Sequence, residues 1–186
     1  MADWDERYRK GEHSPVEPHQ LLVRAIQSLA PGRALDVACG AGRHAILLAN
    51  AGWTVTAVDS SRVGIEVARQ RAVASSVTID TVTADLERAE FAILPGAYDL
   101  ICVFYYLQRS LFPSLMAGLR RGGTLVTAIH MVDDNPESQQ MNPDFLLNPG
   151  ELRATFFGWN IDYYHEGRWD DPEHKHRDAE LIARKP

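Results

Sequence analysis

Two aspartates bracket a glycine turn in the stretch DVACGAGRHAILLANAGWTVTAVDSS, which spans residues 36–61. Asp36 lies four residues before Gly40, and Asp59 lies seventeen residues after Gly42. A glycine lets the backbone approach a ligand without a Cβ atom in the way. A carboxylate on each side of such a turn can bind an ammonium group at one end of a ligand and hydroxyl groups at the other.

The composition is that of an ordinary globular protein. The chain has 186 residues, of which 45% are hydrophobic and 24% charged, and this predicts a single domain over residues 1–186. A net charge of −6 argues against a nucleic-acid partner. Two cysteines, no apolar signal segment and no apolar run of about 20 residues predict a cytoplasmic protein without a membrane partner.

The apolar residues alternate between helical and strand-like spacing along the chain. This alternation predicts an α/β fold with a doubly wound, mostly parallel sheet of seven strands. The last two strands have no room for a helix between them, so they are expected to give the sheet an antiparallel edge strand. Strands are predicted over 33–38, 54–59, 77–85, 98–107, 122–131, 159–167 and 178–185, and helices over 18–29, 43–52, 60–75, 110–119 and 148–158.

The helix predicted over 148–158 has the clearest end signals. Asn148 can cap its first turn, Pro149 fits that turn, and Glu151 completes a capping box. Gly158 is expected to end the helix.

Polar and aromatic residues follow the ends of five predicted strands. In an open α/β sheet, ligands bind outside the carboxyl ends of the strands, where the strand order reverses. The sequence therefore predicts one binding site along this rim. The residues at the rim are Asp36, Cys39, Gly40, Gly42, Asp59, Asp85, Tyr105, Tyr106 and His130.

Each of these residues also has a purely structural interpretation. Asp59 could be the N-cap of the helix that begins at Ser60, and Asp85 could cap a loop. Cys39 is better explained as a packed residue than as a nucleophile, because no histidine or acid is placed to activate it. Successive strand residues point to opposite faces, so at least one tyrosine of the pair 105–106 is expected in the core.

Two nucleoside ligands compete for the glycine turn. The segment GAGRHA fits the dinucleotide pattern G-x-G-x-x-G/A, with Asp59 at about the expected distance, so an NAD(P)-binding oxidoreductase is a serious alternative. Asp36 would repel a pyrophosphate, however, and the length leaves no second domain for hydride transfer. S-adenosylmethionine is cationic and has no phosphate. Asp36 can help to hold its amino-acid end, directly or through water, while Asp59 accepts from the ribose hydroxyls and Asp85 from the adenine amino group.

These motifs resemble those of the class I S-adenosylmethionine-dependent methyltransferases. The likeness rests on LDVACGAG (35–42), VTAVDSS, VTAD and YDLICVFYYL. Ala38 stands where many members have glycine. A narrower likeness is to the small bacterial tellurite-resistance methyltransferases, through NPGELRATFFGWNIDYYHEG and the closing segment HKHRDAELIARKP.

The resemblance implies a Rossmann-like fold, S-adenosylmethionine as cofactor and specific site residues. WDERY is similar to an opening segment that folds over the cofactor, which makes residues 1–16 a lid. The His-Arg pair before the last strand, His176 and Arg177, is implied to be catalytic. The cofactor-binding residues are expected to be Trp4, Tyr8, Asp36, Ala38, Cys39, Gly40, Gly42, Arg43, Asp59, Ser60, Ala84, Asp85, Leu86, Phe104 and Tyr105.

The expected reaction is methyl transfer to a small-molecule acceptor such as a thiol or a chalcogen oxyanion. An ionised soft nucleophile needs no general base, whereas a protonated one does, and His130, His174 and His176 are the candidates. Arg177 is suited to an anionic acceptor. The polar segment 131–147 is expected to cover the acceptor pocket. No metal site is predicted, the oligomeric state is left open, and a non-catalytic S-adenosylmethionine sensor is the remaining alternative.

Overall fold

The structure, a computed structural model, describes residues 4–12, 14–134, 141–168 and 176–186. No helix within these ranges is long and apolar enough to cross a bilayer. The helices are α1 (Trp4–Arg9), α2 (Gln20–Ile26), α3 (Arg43–Asn50), α4 (Arg62–Ala74), α5 (Phe112–Gly118) and α6 (Glu151–Thr155). The strands are β1 (Arg33–Val37), β2 (Thr54–Asp59), β3 (Asp80–Thr83), β4 (Tyr98–Phe104), β5 (Leu119–His130), β6 (Asn160–Gly167) and β7 (Asp178–Arg184).

The strands form one seven-stranded sheet in the order β3-β2-β1-β4-β5-β7-β6. Strands β1 to β5 pair in parallel, and β7 runs antiparallel to both β5 and β6. The predicted mostly parallel sheet with an antiparallel pair at one edge is therefore confirmed. In this pair β6 is the edge strand and β7 lies between β5 and β6. The chain winds outward from β1 to β3 and then returns to β4, so the strand order reverses between β1 and β4.

Each face of the sheet has its own apolar core, because neighbouring strand residues point to opposite faces. On β4, Ile101 and Val103 belong to one core, and Leu100 and Cys102 belong to the other. The first core also contains residues of α5 and α6, and the second contains residues of α2, α3 and α4. Both faces are thus covered by helices, which explains why the central strands read as continuous apolar runs.

Several predicted elements are shorter in the structure. The strand expected over 77–85 is reduced to β3, which is an edge strand with only β2 as a neighbour. The strand expected over 98–107 ends at Phe104, because Tyr105 adopts a positive φ of 57°. The helix expected over 18–29 starts after His19, whose side chain accepts a hydrogen bond from the backbone N–H of Leu21.

The capping prediction for the last helix is wrong in one respect. Helix α6 covers only Glu151–Thr155, and its N-cap is Gly150 rather than Asn148. Glu151 does reach back, as predicted, and accepts a hydrogen bond from the backbone N–H of Asn148 at 2.9 Å. The side chain of Asn148 also donates to Glu151 at 3.0 Å, so it holds the turn without capping the helix.

Candidate functional site

An open cleft of about 370 Å³ lies at the carboxyl ends of β1, β2 and β4, beside the point where the strand order reverses. This is the position where open α/β sheets bind ligands. The cleft brings together thirteen of the fifteen residues expected to bind a cofactor, all except Asp36 and Gly42. These thirteen are Trp4, Tyr8, Ala38, Cys39, Gly40, Arg43, Asp59, Ser60, Ala84, Asp85, Leu86, Phe104 and Tyr105.

The carboxylate of Asp59 is fixed at the end of β2. Its Oδ2 accepts a hydrogen bond from the backbone N–H of Gly40 at 2.8 Å, and its Oδ1 accepts from that of Ser61 at 2.8 Å. The helix cap itself is Ser61, whose hydroxyl accepts from the N–H of Gly64. Burial raises the pKa of Asp59, and the two backbone N–H groups oppose this shift. Each carboxylate oxygen keeps further lone pairs for a ligand in the cleft, an arrangement suited to adjacent hydroxyl groups.

The two glycines of the turn have different roles. Gly40 lines the cleft with a φ of +53°, and a Cβ atom there would collide with the hydroxyl of Tyr8. Gly42 does not line the cleft, in contrast to the expectation from its motif. A Cβ atom on Gly42 would lie 2.7 Å from the Cβ of Ala68, so this glycine permits close packing of α3 against α4.

Asp36, which was expected to help hold the amino-acid end of the cofactor directly or through water, does not line the cleft. Its side chain is 1% exposed and points towards the start of α3. Oδ2 accepts a hydrogen bond from the backbone N–H of Ala45 at 3.0 Å, and Oδ1 accepts from the thiol of Cys102 at 3.4 Å. Asp36 therefore supports the helix that follows the glycine turn rather than the surface of the cleft.

The burial of Asp36 predicts a pH-dependent effect on stability. Burial raises the pKa of this carboxyl from 3.8 to about 7, against the opposing hydrogen bonds from Cys102 and Ala45. Because the folded-state pKa is the higher one, ionisation of Asp36 destabilises the folded protein progressively as the pH rises from about 4 to about 7. Asp36→Asn keeps an acceptor for Ala45 without the charge. The free energy of unfolding of this variant minus that of the unmodified protein is expected to be larger at pH 8 than at pH 5, so the variant is relatively more stable at the higher pH.

Urea unfolding at both pH values measures this difference. Asp80→Asn, at the exposed start of β3, is the control for removal of a negative charge. An Asp36→Asn effect of the same size at pH 5 and pH 8 would contradict the assignment of a buried, ionising carboxyl.

Asp85 lines the cleft and also caps a loop, which was its structural alternative. Its Oδ1 accepts hydrogen bonds from the backbone N–H groups of Glu87 at 2.9 Å and Arg88 at 3.3 Å, so it does cap the loop after β3. Its Oδ2 lies 3.3 Å from Nε of Arg88. The residue nevertheless lines the cleft, and its carboxylate is held where a ligand can reach it.

Helix α1 closes one side of the cleft. Asp5 accepts hydrogen bonds from the Ser61 hydroxyl at 2.6 Å and from the backbone N–H of Val63 at 3.2 Å, which ties α1 to the start of α4. This places Trp4 and Tyr8 in the cleft wall, with their ring centroids 6.1 Å apart. Burial raises the pKa of Tyr8, so its hydroxyl is neutral beside the glycine turn.

Two tyrosines follow β4 and both line the cleft. They point to opposite sides of the sheet, since Tyr105 packs against the core under α2 and α3, and Tyr106 packs against the core under α5 and α6. Both are only partly buried, so the expectation that at least one would be a core residue is not met. The Tyr106 hydroxyl donates to Oε1 of Gln108 at 2.7 Å. The backbone of Tyr105 has a left-handed conformation, which is energetically unfavourable for a residue other than glycine. Residues with such strained backbones cluster at functional sites.

Five lining residues were not among the predicted cofactor-binding set: Pro15, Ala41, His44, Glu87 and Tyr106. His44 is the most informative, because it follows Arg43 in the first turn of α3. Its Nε2 accepts a hydrogen bond from the backbone N–H of His19 at 3.2 Å, and burial lowers its pKa well below the usual value. A polar residue directly after a glycine turn is the signal that could have identified it.

The predicted catalytic pair does not line the cleft. His176 packs against His130, with ring centroids 4.9 Å apart, and the carbonyl of Arg177 accepts a hydrogen bond from the N–H of Met131 at 2.8 Å. His174 and residues 135–140 of the predicted acceptor segment lie outside the described residues. Within the part of the chain that the structure describes, no three potential metal ligands come together.

Comparison with known proteins places this chain in a family. Residues 3–179 match the family model described as tellurite resistance protein TehB. The chain belongs to the TehB family. The resemblance read from its glycine turn and closing segment is thereby confirmed.

The matched proteins are longer than this chain. The probable S-adenosyl-L-methionine-dependent methyltransferase TehB of Haemophilus influenzae is 26% identical over 169 residues, which cover 87% of this chain and 57% of that protein. Trans-aconitate 2-methyltransferase of Paracidovorax citrulli is 37% identical over 147 residues, which cover 74% of this chain and 53% of that protein. The chain thus spans about half the length of these curated relatives.

A solved structure has the same fold as the described part of this chain. The crystal structure of TehB from Haemophilus influenzae superposes with a TM-score of 0.78 at 23% identity, over 98% of this chain and 67% of that one. The predicted Rossmann-like architecture therefore agrees with the fold of this TehB relative.

Proposed function

We propose that this chain transfers a methyl group from S-adenosylmethionine to a small-molecule acceptor. The observation that carries the proposal is the Asp59 carboxylate, which is bonded to the glycine turn and opens into the cleft. A fixed carboxylate beside a glycine backbone that a ligand can approach closely suits a nucleoside, because the ribose hydroxyls need a hydrogen-bond acceptor. The names of two curated relatives, both methyltransferases, agree with this proposal.

Different residues of the cleft bind different parts of the nucleoside. Asp59 accepts from the ribose hydroxyls, and the segment 84–86 after β3 receives the adenine, with Asp85 as the acceptor for its amino group. Gly40 and the start of α3 receive the amino-acid end. Trp4 and Tyr8 of α1 cover the bound nucleoside and exclude water from it.

The reaction is an in-line displacement at the methyl carbon. The sulfonium supplies a strong electrophile, so the protein contributes mainly orientation and exclusion of water. The acceptor's electron pair forms the new bond to the methyl carbon as the bond from carbon to the sulfonium breaks. A soft nucleophile such as a thiol or a chalcogen oxyanion suits this chemistry. Arg177, whose carbonyl bonds to Met131 just after β5, is the residue proposed to attract an anionic acceptor.

The rival dinucleotide function fits the cleft less well. Acidic residues 59, 85 and 87 line it, and Arg43 is the single arginine among the lining residues identified in the described part of the chain. A pyrophosphate would meet an excess of negative charge there. The site therefore favours a ligand without phosphate groups.

A single-turnover experiment tests the proposed reaction. Excess protein is mixed with methyl-labelled S-adenosylmethionine and a panel of thiols and oxyanions, and labelled products are counted. Transfer to at least one acceptor is expected, with S-adenosylhomocysteine as the co-product. Tight binding of S-adenosylmethionine without transfer to any acceptor would instead favour a non-catalytic sensor.

A further inference from the structure

His130 is held between three groups at the carboxyl end of β5. Its Nδ1 lies 2.6 Å from Oδ1 of Asp178, the first residue of β7 and its direct partner in the antiparallel ladder. One ring face stacks on Tyr105, with ring centroids 4.6 Å apart and an interplanar angle of 29°. The ring of His176 packs at 4.9 Å and 50°. The position of this imidazole is therefore strongly restricted.

The contact with Asp178 determines which ring nitrogen can take a proton. The side chain of Asp178 is fully buried, and a buried carboxylate requires a hydrogen-bond donor. Donation from the Nδ1–H of His130 meets this requirement and leaves the lone pair on Nε2. Nε2 points away from Asp178, and the His130 side chain is 23% exposed. The imidazole is therefore partly accessible from solvent.

This pair lies directly beside the cleft. Tyr105 forms part of the cleft wall and also stacks on His130, so one residue of that wall directly contacts this imidazole. Among the described residues, charged groups in this region include Asp178, Arg43, whose guanidinium lies 6.0 Å from the Tyr105 ring centroid, and Glu180, which is paired with His19 at 3.5 Å.

We propose that His130, positioned by Asp178, removes the proton from a thiol as the thiol sulfur attacks the methyl group of S-adenosylmethionine. This assignment rests on the proposed function and names its acceptor class. The S–H bond breaks and its proton moves to Nε2, while the sulfur electron pair forms the bond to the methyl carbon. The bond from carbon to the sulfonium breaks, its electron pair stays on sulfur in S-adenosylhomocysteine, and the imidazolium later releases its proton to water.

A thiol fits an imidazole base better than an alcohol does. The ordinary pKa of an imidazole is about 6.5 and that of a thiol about 8.5, so the proton moves across a small gap. An alcohol is a far weaker acid than either group. The negative charge of Asp178 stabilises the imidazolium during the step, as a buried carboxylate does for a catalytic histidine.

The test compares two probe thiols of similar size at pH 7. Thiophenol is largely ionised and needs no base, whereas benzyl thiol is largely protonated. For His130→Gln, transfer from labelled S-adenosylmethionine to benzyl thiol is expected to fall by about 100-fold or more, and transfer to thiophenol by only a few-fold. Asp178→Asn keeps an acceptor for Nδ1 but not the charge. Transfer to benzyl thiol is therefore expected to fall more than transfer to thiophenol, but by less than in His130→Gln.

Three comparisons make the result decisive. His165→Gln on β6 is the matched control and should leave the ratio of the two rates unchanged. Equal losses with both thiols in His130→Gln, or the selective loss in His176→Gln instead, would overturn the role of His130. A variant that binds S-adenosylhomocysteine with unchanged affinity is folded, and only such variants enter the comparison.

The unmodified protein separates this proposal from the proposed function. Transfer to thiophenol but not to benzyl thiol, or to neither while S-adenosylmethionine binds, would overturn the thiol-base proposal alone. Failure to bind S-adenosylmethionine at all would overturn the proposed function.

Discussion

Asp59→Ala is expected to weaken the binding of S-adenosylhomocysteine by at least about 100-fold. The substitution removes a carboxylate that is proposed to accept hydrogen bonds from two ribose hydroxyls, and each bond to a charged group contributes roughly 1.5–3 kcal/mol. It also leaves the backbone N–H groups of Gly40 and Ser61 without their acceptor, so the glycine turn loses its anchor to β2. Isothermal titration with S-adenosylhomocysteine measures the effect without turnover.

Two variants separate ligand binding from folding in this experiment. Asp59→Asn keeps one acceptor oxygen and is expected to lose less affinity than Asp59→Ala. Asp80→Ala removes an exposed aspartate from the adjacent strand and should leave the affinity unchanged. An Asp59→Ala protein with a native circular dichroism spectrum and unaltered affinity would remove Asp59 from the binding site.

Gly42→Ala is expected to lower the free energy of unfolding by about 2–5 kcal/mol. The residue has a φ of +80°, which costs roughly 1–2 kcal/mol for an L-residue. The new methyl group would also lie 2.7 Å from Cβ and 3.2 Å from Cα of Ala68, an overlap that adds about 1–3 kcal/mol. Urea unfolding measures the sum of the two contributions.

The steric contribution can be isolated by two matched variants. Gly96→Ala has a similar φ of +64° and no atom within 4 Å of the added Cβ, so it reports the backbone contribution alone. Ala68→Gly in the Gly42→Ala background removes the colliding methyl and is expected to restore part of the lost stability. Equal destabilisation in Gly42→Ala and Gly96→Ala would show that packing between α3 and α4 does not require glycine.

Local sequence signals predicted the centre of the fold well. The strand expected over 54–59 has the same bounds in the structure, because a β-branched run is followed at once by a helix-capping serine. Gly40 and the residues that follow β2, β3 and β4 line the cleft as expected, since parallel strands bring their carboxyl ends to one edge. Predictions that depend on one strand and its next turn were therefore reliable.

Predictions that depend on distant packing were less successful. The direction of Asp36 follows from the position of α3, and the role of Gly42 follows from the approach of Ala68, which is 26 residues further along the chain. The contact between His130 and Asp178 is set by the register of β5 against β7. No local pattern encodes that register, although His130 itself was recognised as a residue at the end of a strand.

Equilibrium dialysis of the unmodified protein with labelled S-adenosylmethionine tests the central claim most directly. The account predicts saturable uptake of one equivalent per chain, with full displacement by S-adenosylhomocysteine and none by an equal concentration of NAD⁺. Folded protein that takes up no S-adenosylmethionine at millimolar concentration, or that releases it to NAD⁺ as readily as to S-adenosylhomocysteine, would contradict the claim that this cleft binds a cationic, phosphate-free nucleoside.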